Sequence, residues 1–93
     1  MMLNFYKNIA FTKLVKSADR LREFNFRRLI TSGDELFHVD VSDDRGNRIV
    51  FRMQKENSGF WRFQDNNLPA WITATEDKLH EVIQEELQKQ SVA

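Results

Sequence analysis

The sequence predicts an α+β domain: an N-terminal helix, a four-stranded antiparallel β-meander and a C-terminal helix packed on one sheet face. Three observations carry that expectation. Short runs beyond residue 22 alternate apolar and polar side chains, as half-buried strands do. Glycine-bearing segments, TSGD, DDRGN and KENSG, separate these runs and read as turns. One run with helical spacing precedes the strands and another follows them. A chain of 93 residues, 41% hydrophobic and 30% charged, makes a single small domain over residues 1–93 with one modest core.

The first helix is expected over residues 7–21. Phe11, Leu14, Val15, Ala18 and Leu21 recur at the spacing that places side chains on one helical face. Strands follow over 23–30, 36–42, 48–54 and 60–64. Their inward sets are Phe24 and Phe26, then Phe37, Val39 and Val41, then Ile49, Phe51 and Met53, then Trp61 and Phe63. Pro69 denies a ladder donor and ends the sheet. The last helix is expected over 74–89. Thr73 and Glu76 have the spacing of a capping box, and Leu79, Val82, Ile83 and Leu87 form its inward stripe.

The turns set the expected register. A three-residue loop, Asp44-Arg45-Gly46, with Gly46 left-handed, pairs Val41 with Ile49, Val39 with Phe51 and Phe37 with Met53. A Ser32-Gly33 loop sets Phe26 opposite Val39. KENSG is expected to set Met53 opposite Trp61 and Phe51 opposite Phe63. All three registers bury the same aromatic face. They also point Arg28 inward, on what is expected to be an edge strand.

The opposite face is where function is sought. Arg27, His38, Arg52 and Arg62 are expected in one cross-strand row. Leu29, Leu36, Gln54 and Phe60 fall beside it. Neighbouring cations repel unless a carboxylate or a bound anion sits among them. The row is therefore either neutralised by acidic elements of the fold or free to bind an anion, since guanidinium groups grip phosphate and carboxylate in bidentate fashion. Phe60 offers a surface on which a base stacks. Leu29, Leu36 and Phe60 offer an apolar contact if nothing covers them.

Net charge is zero, but it is unevenly placed: +5 over residues 1–33, −2 over 34–66 and −3 over 67–93. The balance argues against strong nucleic-acid affinity, which rests on phosphate neutralisation. Cysteine is absent, which excludes disulfides and thiol catalysis and favours a cytoplasmic location. No apolar run approaches the ~20 residues of a membrane span. His38 and His80, the two histidines, belong to different elements, so no metal site is expected. No phosphate-binding glycine loop or nucleophile–histidine–carboxylate pattern is visible, so neither catalysis nor a cofactor is expected. The expected function is a non-catalytic protein-binding or self-associating module. Binding of single-stranded nucleic acid or another anion on the outer face is the alternative.

Overall fold

The computed structural model describes residues 9–31 and 33–92. It is an α+β fold built on one five-stranded antiparallel sheet in the order β1-β2-β3-β4-β5. The strands are β1 (Ala10–Ser17), β2 (Arg20–Thr31), β3 (Asp34–Ser42), β4 (Arg48–Lys55) and β5 (Trp61–Phe63). Two helices follow, α1 (Ala70–Thr73) and α2 (Glu76–Val92). No helix among the described residues is long and apolar enough to cross a membrane.

The largest correction is at the front of the chain. Ala10 to Leu21 form a β-hairpin, not a helix; Lys7 and Asn8 of the expected helix lie outside the described residues. Ala18 and Asp19 make a two-residue turn with φ of 53° and 62°. Both central residues are left-handed, as in a type I′ turn, the geometry that matches strand twist. Pairing runs from Ala10↔Arg27 to Ser17↔Arg20. The side chains that face the core are Ile9, Phe11, Lys13, Val15 and Ser17, a period of two. The helical spacing of Phe11, Leu14, Val15 and Leu21 was a coincidence: Leu14 and Leu21 are 60% and 65% exposed. This hairpin adds a fifth strand and makes β2 internal, beginning at Arg20 rather than residue 23. Arg28 does point inward, but from an internal strand, and its Nη2 meets Glu35 Oε2 at 2.8 Å.

The β2–β3 and β3–β4 registers follow expectation, with Phe26↔Val39, Phe37↔Met53 and Val41↔Ile49. Ser32 of the expected Ser32-Gly33 loop lies outside the described residues. The β3–β4 loop is the expected Asp44-Arg45-Gly46, closed by Asp43 N–H to the Asn47 carbonyl at 2.8 Å, with Gly46 at φ 83°. Asp43 Oδ1 also accepts the Asn47 and Arg45 amides, at 2.8 and 2.9 Å. The Asn47 amide bond, followed by the Arg45 amide bond, holds this carboxyl below its ordinary value of 3.8.

The β4–β5 register is two residues away from expectation. Met53 faces Phe63, Gln54 faces Arg62 and Lys55 faces Trp61. The loop is Asn57-Ser58-Gly59, closed by Glu56 N–H to the Phe60 carbonyl at 2.9 Å, and Gly59 has φ 91°. It repeats the preceding loop, with glycine in the third, left-handed position. A shift of two keeps every side chain on its expected face. It moves Arg62, however, along the outer face. Strand β5 spans Trp61–Phe63, shorter than the expected 60–64.

The core is aromatic. Phe11 stacks on Phe26 at 4.6 Å between centroids, Phe37 meets Trp61 edge-on at 5.1 Å, and Phe51 meets Phe63 at 5.3 Å. Ile72, Leu79 and Ile83 close this face from the helical side and are fully buried. Each such side chain contributes roughly 1.5–3 kcal/mol of burial. Helix α2 begins at Glu76 and runs to Val92, later at both ends than expected. The Thr73–Glu76 capping box does not form. Thr73 ends α1, the buried Thr75 precedes α2 and donates to the Ile72 carbonyl at 2.5 Å, and Glu76 is used elsewhere.

Helices and sheet also meet at the tip of the first hairpin. The buried Ser17 Oγ donates to the Trp71 carbonyl at 2.6 Å. Arg22, also buried, lays its guanidinium 4.3 Å from the Trp71 ring centroid and pairs with Asp44 at 3.1 Å. Lys78 Nζ reaches the Lys16 carbonyl at 3.5 Å.

Candidate protein-binding surface

The register brings Arg27, His38 and Arg52 side by side on β2, β3 and β4. All three side chains project from the convex face, away from the aromatic core. Arg27 and Arg52 are exposed and His38 is half-buried between them. Neither arginine forms an ion pair among the described residues. The carboxylate two positions from His38 on the same strand is already engaged: Asp40 accepts Asn25 Nδ2 at 2.9 Å and lies 3.8 Å from Arg48 Nε. Asn25 in turn accepts Thr12 Oγ1 at 2.6 Å. Asp65, just past β5, accepts the backbone amide of Arg52 on β4 at 3.0 Å. Three adjacent cationic or proton-accepting groups thus stand in register, with Asp40 committed to Asn25 and Arg48 and Asp65 to the Arg52 backbone rather than to its guanidinium.

Arg62 does not join them. The two-residue shift places it opposite Gln54, where it pairs with Glu56 at 3.1 Å and Glu76 at 3.4 Å. It is a neutralised structural group. Gln64 occupies the expected place, its amide bonded to the Arg52 carbonyl at 2.9 Å.

Phe60 is no stacking platform either. His80 lies on it at 4.0 Å with nearly parallel rings, and Arg62 sits 4.4 Å from its centroid. The expected apolar patch also fails to open. Leu36 is 6% exposed, Leu29 and Phe60 are half-buried. Among the described residues the large apolar side chains most open to solvent are Leu14, Leu21 and Val50, the last 49% exposed. Sequence reasoning missed Leu14 and Leu21 because a helix would have buried them.

A groove of about 470 Å³ runs between the row and the first strand, lined by Ala10, Thr12, Arg27, Leu29, His38 and Arg48 among others. Its floor is narrowed by no large side chain at Ala10, which faces Arg27 directly.

The two margins of the sheet differ. In β5 the amides of Phe60 to Gln64 alternate: the Phe60 carbonyl and the Gln64 N–H serve β4, so Trp61 and Phe63 direct theirs outward. Trp61 N–H donates to His80 Nδ1 at 3.0 Å and Phe63 N–H donates to Glu76 Oε2 at 3.0 Å. His80 must therefore carry its ring proton on Nε2. Glu76 and His80 are four residues apart on α2, a rise of about 6 Å, close to two residues of strand. The helix side chains thus stand in for a sixth strand. In β1 the Arg28 N–H bonds to the Ile9 carbonyl at 2.8 Å, so odd positions serve β2. Ala10, Thr12 and Leu14 direct their backbone groups outward, and no backbone partner meets them among the described residues.

Among the described residues no three potential metal ligands cluster. No family model, curated protein or solved structure matches the chain.

Proposed function

We propose that the protein is a non-catalytic binding module whose convex sheet face takes an acidic segment of a partner protein. The observation that carries this reading is the Arg27–His38–Arg52 row, in register and without an ion pair to either arginine. Such a row attracts carboxylates and holds them by charge-assisted hydrogen bonds. Nucleic acid fits the face less well. Single-stranded binders rely on aromatic side chains open to bases, and both His80 and Arg62 already lie against Phe60. The zero net charge also disfavours a polyanion held by many phosphates.

The experiment is a titration of isotope-labelled protein, watched by backbone amide shifts, with an acidic peptide and separately with a mixed single-stranded oligonucleotide. The acidic peptide is expected to shift Arg27, His38 and Arg52. Arg27→Glu with Arg52→Glu is expected to weaken binding at least tenfold. Shifts with the oligonucleotide alone would transfer the row to nucleic acid, and silence with both would remove the proposal.

A further inference from the structure

We infer that the acidic segment binds as an added strand along the open edge of β1, an inference that rests on the acidic-partner reading above. Backbone groups that point out of a sheet edge are a template for another strand. At Ala10, Thr12 and Leu14 these groups have no backbone partner among the described residues, while the corresponding amides of β5 are satisfied by Glu76 and His80.

The charge pattern selects the occupant. Lys13 and Lys16 lie on this strand, and Lys13 faces the concave side. Inward and edge lysines deter indiscriminate pairing. A second copy of this chain laid along the same edge would bring the lysines of two hairpins together, and like charges across strands destabilise. A strand bearing carboxylates meets no such penalty.

The geometry then joins edge and row. Ala10 and Arg27 are direct cross-strand partners, and their side chains lie on the convex face. A residue added opposite Ala10 stands two strand spacings from Arg27, about 9.6 Å. The methyl group of Ala10 does not fill that space, and a glutamate and an arginine extended toward each other cross it. The added strand's acidic side chains therefore extend the row Arg27–His38–Arg52 by one position, over Ala10. Its alternate side chains fall on the concave side, beside the half-buried Phe11, the aliphatic stem of Lys13 and the buried Val15, and suit valine or another apolar residue. The recognised class is an extended segment alternating acidic with apolar residues.

The test uses the blocked peptide Glu-Val-Glu-Val-Glu-Val and its counterpart with lysine for glutamate, with hydrogen exchange read at each backbone amide. With saturating acidic peptide, the amides of Ala10, Thr12 and Leu14 are expected to exchange at least tenfold more slowly. Those of Phe11 and Lys13, already committed to β2, are expected to stay as they are. The lysine peptide is expected to change none of them. Thr12→Pro removes an outward donor and leaves the backbone ladder to β2 in place, with Thr12→Val as the control for the lost side-chain bond to Asn25, and is expected to weaken the acidic peptide about tenfold where Thr12→Val does not. Arg27→Glu is expected to do the same through charge, on a side chain that forms no ion pair among the described residues. Peptide shifts at Arg27, His38 and Arg52 with unchanged exchange at Ala10, Thr12 and Leu14 would overturn strand addition and leave the acidic-partner reading standing. No binding at all would overturn both.

Discussion

Strands β1 and β5 both end the sheet, and they end it differently. At β5, three residues long, the outward amides of Trp61 and Phe63 are taken by His80 and Glu76, one helical turn apart on α2. At β1, eight residues long, the hydrogen bonds from the helical layer reach only the hairpin tip, at Ser17 and Lys16, and no backbone partner meets the outward groups of Ala10, Thr12 and Leu14 among the described residues. A strand too short to hold itself in a sheet is retained by a helix whose side chains mimic a neighbour. The long strand is retained by its own ladder, and its outer margin needs no such mimic among the described residues. Sealing and availability are set by the same accounting of backbone donors.

Removing the helix acceptors is the strongest way to break this contrast. Glu76→Ala with His80→Ala leaves two partly buried strand donors unpaired and is expected to cost about 2–4 kcal/mol. Chemical denaturation measures the loss. Amide exchange at Trp61 and Phe63 should rise toward that of Ala10 and Thr12; unchanged exchange would show that the helix does not seal β5. Ser17→Ala is the next step down. It removes the buried bond to the Trp71 carbonyl, with an expected loss of about 1–2 kcal/mol. The thermal midpoint falls while exchange at β5 is unaffected, which separates the two attachments of the helical layer.

The contrast can be sharpened in the other direction. Ala18→Asn with Asp19→Gly supplies the residues that a type I′ turn favours at two positive-φ positions. A gain of about 1 kcal/mol is expected from relief of left-handed strain. The smallest expected effect lies far from both margins. The Asp43 carboxyl is held below 3.8 by the Asn47 and Arg45 amides. A depressed carboxyl contributes stability above its unfolded value, and that contribution is lost as pH falls through the folded value. Asp43→Ala is therefore expected to lower the thermal midpoint slightly at pH 7 and to differ less from the parent protein near pH 2. An equal difference at both values would contradict this assignment.

The sheet's aromatic face was legible because Phe24, Phe26, Phe37, Val39, Phe51 and Met53 alternate without interruption, and because DDRGN admits one loop compatible with that pattern. The first hairpin was not. Lys13 and Ser17 occupy core-facing positions and break the alternation, and Ala18-Asp19 makes a tight turn without glycine. The β-branched Ile9, Thr12 and Val15 were the available hint. Arg62 was misplaced through one loop, where the left-handed glycine rule used at Gly46 was not carried over to Gly59. At the candidate surface, Arg27, His38 and Arg52 were readable from parity and turn length. Glu76 had a local explanation, the capping box with Thr73, and His80 was weighed as a metal ligand. Their true role depends on where β5 lies, and only tertiary packing supplies that.

Every ladder in this sheet joins strands adjacent in sequence. The bond from Ser17 to Trp71, by contrast, joins positions 54 apart. Formation of the hairpins is thus a succession of local events, each closing a short loop at small entropic cost. The return of α1 to the first hairpin is the long-range step, and it brings Trp71 against Arg22. In a refolding trace of a Trp61→Phe variant, strand signals should precede the change in Trp71 emission, and substitutions at Ser17 should alter chiefly the later phase.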